Sequence, residues 1–189
     1  MMENKVIYLI GHYGVGKLTI AREICARTDA RLFDNHLINN VVFSLIRADG
    51  KTPLPERTWE LIQVIRDQAV AAITELAPAE ASYVLTNFLA DDEIDRAVYL
   101  QMEDMARRRG SAFVPVALSA TDEAHAQRIA SPDREERLKH TDVASAERVR
   151  REVPMLRFAH PNRLDLETTN LSPREAALAI IRHAEQAQP

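Results

Sequence analysis

The chain has 189 residues, 46% of them apolar and 28% charged, with a formal net charge of -4. That composition fits one ordinary globular domain with a sizeable core, and the acidic balance argues against a general nucleic-acid or membrane-surface binder. No apolar run is long enough to span a membrane, and Met1-Met2-Glu3-Asn4-Lys5 leads straight into the first strand without a signal-peptide pattern, so the cytoplasm is the expected compartment.

Val6-Ile7-Tyr8-Leu9-Ile10 reads as a first strand. Gly11-His12-Tyr13-Gly14-Val15-Gly16-Lys17-Leu18-Thr19 comes next, then an amphipathic run from Ile20 to Arg27. Strand, glycine-rich turn and helix stand in the order that a phosphate-binding loop needs. Glycines remove Cβ atoms, so backbone N–H groups can turn inward on an anion. The helix adds its unpaired N–H groups and the positive end of its dipole. Lys17 would place a cation at that positive end, an unfavourable position unless an anion shares it. The strict pattern asks for Ser or Thr directly after the lysine; Leu18 stands there, and the hydroxyl comes one place late, at Thr19. Cys25 is the sole cysteine and lies in the apolar run of the helix, which suits a buried thiol rather than a nucleophile.

Ala30 to Asp34 reads as the second strand, and Asp34-Asn35-His36 should face the cleft beyond its C-terminal end. Asp34 there is either a ligand-facing carboxylate or the N-cap of the next helix; His36 is equally compatible with a structural role. Leu37 to Ala48 has helical periodicity, Asp49 to Pro55 breaks it, and a second helix runs from Pro55-Glu56 to Leu76. Residues 37–78 could form the wall of an acceptor pocket or simply core helices. Ala81 to Asn87 is the third strand. Asp91, Asp92 and Glu93 open a helix that ends in Arg107-Arg108-Arg109 before Gly110, a charge order that suits the dipole without any ligand. Ala112 to Leu118 is the fourth strand, with Thr121 or Asp122 capping the helix after it. Residues 127–142 carry Arg128, Arg134, Arg137, Lys139 and His140 with few apolar anchors, the pattern of an arginine-bearing flap or of a solvated helical face. Ala144 to Pro154 reads as helix and Arg163 to Thr169 as the fifth strand. Ser172-Pro173-Arg174-Glu175 carries a capping box that opens the last helix. Neither repeats nor a linker interrupt the chain, so residues 1–189 are read as one domain.

The spacing Gly11-x-x-Gly14-x-Gly16-Lys17-x-Thr19 resembles the loop of P-loop kinases of the nucleoside monophosphate kinase superfamily. The late threonine is the adenylate-kinase form; shikimate and gluconate kinases share the glycine spacing. Asp34 resembles the acceptor-binding aspartate of the small-metabolite kinases, residues 127–142 resemble their lid, and Glu167 to Pro173 resembles their loop against adenine, with Thr169 beside the base. The resemblance implies a three-layer α/β fold around a five-stranded parallel sheet of order 2-3-1-4-5. It also implies ATP and Mg²⁺, and a small-molecule hydroxyl as acceptor, in a monomer or homodimer. Residues 11–19 (Gly11, His12, Tyr13, Gly14, Val15, Gly16, Lys17, Leu18, Thr19) and Thr169 would hold the nucleotide. Lys17, Asp34, Arg128, Arg134 and Arg137 would carry catalysis.

The sequence also departs from the pattern. Leu18 removes the usual side-chain ligand to Mg²⁺, leaving Thr19, Asp34 and Asp91 as candidates acting through water. Strand three ends in Thr86-Asn87-Phe88, unlike either the shikimate- or the adenylate-kinase turn. Two alternatives stay open. A nucleoside monophosphate kinase would draw on Arg47, Arg57 or Arg66 for the acceptor phosphate. A nucleotide-binding protein that hydrolyses ATP slowly or not at all would explain Leu18.

Overall fold

The computed structural model describes residues 2–46, 48, 52–129 and 143–189. Five strands, β1 (Lys5–Ile10), β2 (Arg31–Asp34), β3 (Tyr83–Asn87), β4 (Ala112–Ser119) and β5 (Leu164–Glu167), form one sheet of order β2-β3-β1-β4-β5. Every pairing in it is parallel. The described helices are α1 (Lys17–Arg27), α2 (Asn35–Ile46), α3 (Glu56–Leu76), α4 (Glu93–Arg109), α5 (Asp122–Ile129), α6 (Val143–Glu152) and α7 (Pro173–Gln186). Strand order and parallel sense are those that the resemblance implies.

A central parallel strand is covered on both faces and so reads as a continuous apolar run rather than an alternating one. β1 behaves this way. Ile7 and Leu9 pack with Val84, Val114 and Val116 against Ile20 and Ile24 of α1 and Ile180 of α7. On the opposite face Val6, Tyr8 and Ile10 meet Leu85, Phe113 and the α4 side chains Tyr99, Met102 and Met105. Tyr99 stacks on Phe158 and meets Phe113 edge-on, at 5.0 and 5.6 Å between centroids. A smaller apolar group, Ile38, Val42, Phe43 and Ile62, joins α2 to α3 beside the sheet.

Register brings the site residues level. Asp34 pairs with Thr86, and Ile10 with both Asn87 and Ala117. The C-terminal ends of β2, β3 and β1 therefore present Asp34, Thr86, Asn87 and the start of the loop at one height, at the sheet edge where parallel α/β proteins bind ligands.

Local signals mostly settle as short-range physics requires. Asp92 caps α4, accepting from Asp95 N, and Gly110 closes it in the left-handed region at φ 65°. The arginine run has structural work: Arg109 donates to the carbonyls of Ile73, Pro78 and Ala81 and lies over the Tyr83 ring, while Arg107 pairs with Asp104. Of the two expected caps of α5, Thr121 fills the role, with Oγ1 accepting from Ala124 N at 3.4 Å. The Ser172–Glu175 capping box is present in both directions. β5 is shorter than the expected Arg163–Thr169. Arg163 turns its guanidinium over the Phe158 ring, and Thr168, whose N–H still meets Ser119 O of β4, turns its hydroxyl towards Val15 O.

Candidate functional site

The loop between β1 and α1 is held open by its glycines. Gly14 and Gly16 sit at φ 83° and 93°, a region that side chains with a Cβ rarely adopt. Gly11 is required for a different reason: a Cβ there would lie 2.7 Å from Leu118 O. No acidic side chain stands in the first turn of α1, and no side chain caps its N-terminus at Gly16. Lys17 Nζ folds back over this turn and donates to Gly11 O at 2.6 Å and His12 O at 2.7 Å. The cation thus sits against the carbonyls of the glycine-rich turn, at the start of α1.

Aromatic contacts fix the outer side of the loop. His12 and Tyr13 each meet the Phe88 ring, both at 5.1 Å between centroids. Burial, with Lys17, Arg150 and His125 nearby, pulls the His12 imidazole down to about 4, so it is neutral at pH 7.

From behind, the loop is tied by Thr168, which local pattern did not single out. Its Oγ1 reaches Val15 O at 3.1 Å and Ser119 O at 2.9 Å, joining the glycine-rich loop to the end of β4. Arg128 donates to Thr168 Oγ1 at 3.1 Å and to Thr168 O at 2.8 Å while its side chain lines the main cavity. Thr169 is engaged structurally, with Oγ1 accepting from Thr121 N at 2.8 Å.

The main cavity has a volume of about 1020 Å³ and runs from the loop to the wall formed by α2, α3 and α4. Gly14, Gly16, Lys17, Leu18 and Thr19 form one end; Asp34, Asn35, His36, Thr86 and Asn87 line its floor. Asp34 accepts a hydrogen bond from Thr86 Oγ1, which orients its carboxylate. Asn87 bonds to the Tyr8 hydroxyl at 3.2 Å and accepts from Phe88 N at 2.9 Å. Arg66, from α3, donates to Asn35 Oδ1 at 3.1 Å and to Gln63 Oε1.

Not every candidate converges. Asp91 pairs with Arg96 at 2.8 Å, and its backbone N–H bonds to Pro154 O, which directs it away from the cavity lining; Asp95 lines the cavity instead. Arg134 and Arg137, and with them most of the expected lid, lie outside the described residues, as does Arg47. Arg57 pairs with Glu60 at 2.5 Å. Leu18 is buried and presents no oxygen, so side-chain oxygens for a hard cation come from Thr19, Asp34, Thr86 and Asn87. Among the described residues no group of three His, Cys, Asp or Glu side chains could hold a metal ion. Burial raises the Cys25 thiol, as an inert cysteine requires. No described helix is long and apolar enough to cross a membrane.

The parallel sheet and its strand order form a fold that the chain shares with several solved kinase structures. The chain is similar in structure to a putative kinase from Chloroflexus aurantiacus at TM-score 0.63 and 17% identity, covering 98% of each chain. It is similar to a sugar kinase from Janibacter sp. HTCC2649 at TM-score 0.60 and 13% identity, over 96% of this chain and 95% of the other. It also resembles the APS kinase of Mycobacterium tuberculosis, solved with AMPPNP and APS, at TM-score 0.58 and 16% identity, over 98% of this chain and all of the other. No protein-family model matches the sequence, and no curated protein does.

Proposed function

We propose that the chain is an ATP-dependent kinase that transfers the γ-phosphoryl group to a hydroxyl of a small molecule. The observation that carries this reading is the placement of two ends in one cavity: the Gly11–Thr19 loop with Lys17 at its mouth, and the oriented Asp34 carboxylate at the neighbouring strand ends. The kinase neighbours named above support it through their common fold.

The loop N–H groups and the start of α1 would receive the β and γ phosphates. Lys17 would exchange the carbonyls of Gly11 and His12 for phosphate oxygens, a swap of neutral acceptors for charged ones. Arg128, already in the cavity, would neutralise charge that develops on the transferred group, with Arg134 and Arg137 as further lid candidates. Asp34 would orient the acceptor hydroxyl and take its proton. Mg²⁺ would supply charge neutralisation at the phosphates; with Leu18 lacking a hydroxyl, Thr19 would hold it, through water.

Asp34→Asn should depress acceptor-dependent ADP release at least about 100-fold while ATP affinity changes little. Equal loss of ATP binding would remove Asp34 from the acceptor side. The buried Leu18 favours one second reading, a nucleotide binder with slow hydrolysis. In that case ADP release would not rise with any hydroxylated acceptor.

A further inference from the structure

The acceptor half of the cavity has its own charge and texture. Resting on the kinase reading of the site, we propose that it takes an alcohol without any anionic group: a neutral or ammonium-bearing hydroxyl compound with an aromatic or aliphatic body.

Charge argues first. The cavity-lining cations Lys17 and Arg128 belong to the phosphate end. In the acceptor half, Asp34, Asp95, Glu56 and Glu60 face one described cation, Arg66. Arg66 donates to the neutral amides of Asn35 and Gln63 and keeps its charge. Even with Glu60 cancelled by Arg57 at 2.5 Å, carboxylates outnumber the guanidinium among the described residues, which leave out Arg47, Asp49 and Lys51. A carboxylate or phosphate on the acceptor would meet like charge in a partly desolvated space, whereas an ammonium or a neutral group would not.

Hydrogen-bond chemistry argues independently. Asn39 lines the cavity and is 5% exposed, and its buried Oδ1 meets no donor among the described residues. A buried carbonyl oxygen calls for an N–H or O–H. The acceptor group that faces Asn39 is therefore a hydroxyl, amide or ammonium, since an ionised carboxylate or phosphate in that place brings no donor.

The wall supplies the rest. Trp59 meets Phe43 edge-on at 5.9 Å, with Leu54 and Ile62 beside them. Ile94 stands 78% exposed on α4 and lines the same space. An apolar body on the acceptor would cover these side chains.

Trp59 is the only tryptophan of the chain, so its emission reports this half of the cavity directly. Three matched probes are titrated: para-hydroxymethyl benzamide, para-hydroxymethyl benzylamine and para-hydroxymethyl benzoate. The amide and the amine should shift Trp59 emission with millimolar Kd, at least about tenfold tighter than the benzoate. Asp95→Asn should narrow the gap between benzoate and amide at least about threefold. Asn39→Leu should weaken the amide and the amine while leaving the benzoate unchanged. Benzoate binding as tightly as the other two would overturn the proposal, as would silence of Trp59 to all three at about 50 mM. The kinase reading fails separately, by absence of ATP-induced stabilisation in the wild type, which leaves the Trp59 titration free to decide the acceptor's charge.

Discussion

Gly11 is where β1, β4 and the loop come closest, and alanine there tests how tightly they are joined. The added Cβ would lie 2.7 Å from Leu118 O, 2.8 Å from Val15 Cγ2 and 3.3 Å from Leu118 Cβ. Val15 is buried, and Leu118 O belongs to the backbone of β4, one of the strands hydrogen-bonded to β1, so neither can step aside cheaply. Overpacking of this kind costs about 1–3 kcal/mol. For a chain of this size, a midrange cost of about 2 kcal/mol lowers the melting temperature by about 4–8 °C. Gly110→Ala is the contrasting control: it breaks a positive φ, at 65°, which Gly11 does not have, but its Cβ would meet nothing within 4 Å and it lies at the end of α4. Differential scanning calorimetry with and without Mg-ATP separates the two. Gly110→Ala should lose about 1–2 kcal/mol of stability and keep the full ATP-induced rise. Gly11→Ala should lose both stability and most of the rise, since relieving the clash with Val15 and Leu118 would shift the backbone of the loop. A Gly11→Ala protein that melts like the wild type and responds to ATP like the wild type would refute the reasoning.

Arg128→Ala removes the donors to Thr168 and Thr169, and should lower the melting temperature by about 2–8 °C. If the residue also reaches the transferred phosphoryl group, acceptor-dependent turnover per folded molecule falls at least about 100-fold; unchanged turnover would make it a clamp only. His12 is neutral in the folded protein, with its ordinary value of 6.5 drawn down to about 4 by burial first and by Lys17 next. The unfolded chain therefore takes up the proton first, and stability is lost as pH falls from about 6.5 towards 4. His12→Gln should flatten the melting-temperature curve across that interval, and an unaltered slope would clear His12 of the effect.

Much of the fold was legible because it is written in short-range patterns. The apolar run Val6–Ile10, the glycines after it and the amphipathic run of α1 specify a strand, a turn and a helix with no long-range information. Asp34 was placed correctly at a strand end for the same reason, and the Ser172–Glu175 box fixed the start of α7. The partners of these residues were not legible. Nothing in the run Glu167-Thr168-Thr169 says that Thr168 reaches back to Val15 across more than 150 positions, because sheet order decides it. Phe88 reads as one more apolar residue, yet it seats His12 and Tyr13. The acids at the start of α4 drew attention to Asp91, whereas packing turned Asp95 into the cavity and left Asp91 to Arg96. Asn39 sits on the same helical stretch as Ile38 and Val42, and only the assembled wall makes its oxygen an orphan.

The central claim is that residues 11–19 hold the phosphates of a nucleotide through the loop and Lys17. The most direct test is the ATP-induced change in melting temperature, compared between the wild type and Lys17→Ala. At about 100 times Kd, ligand linkage adds about 2.7 kcal/mol, which is a rise of about 5–11 °C in the wild type. We predict that this rise is lost in Lys17→Ala at the same ATP concentration. An equal rise in both proteins would contradict the claim.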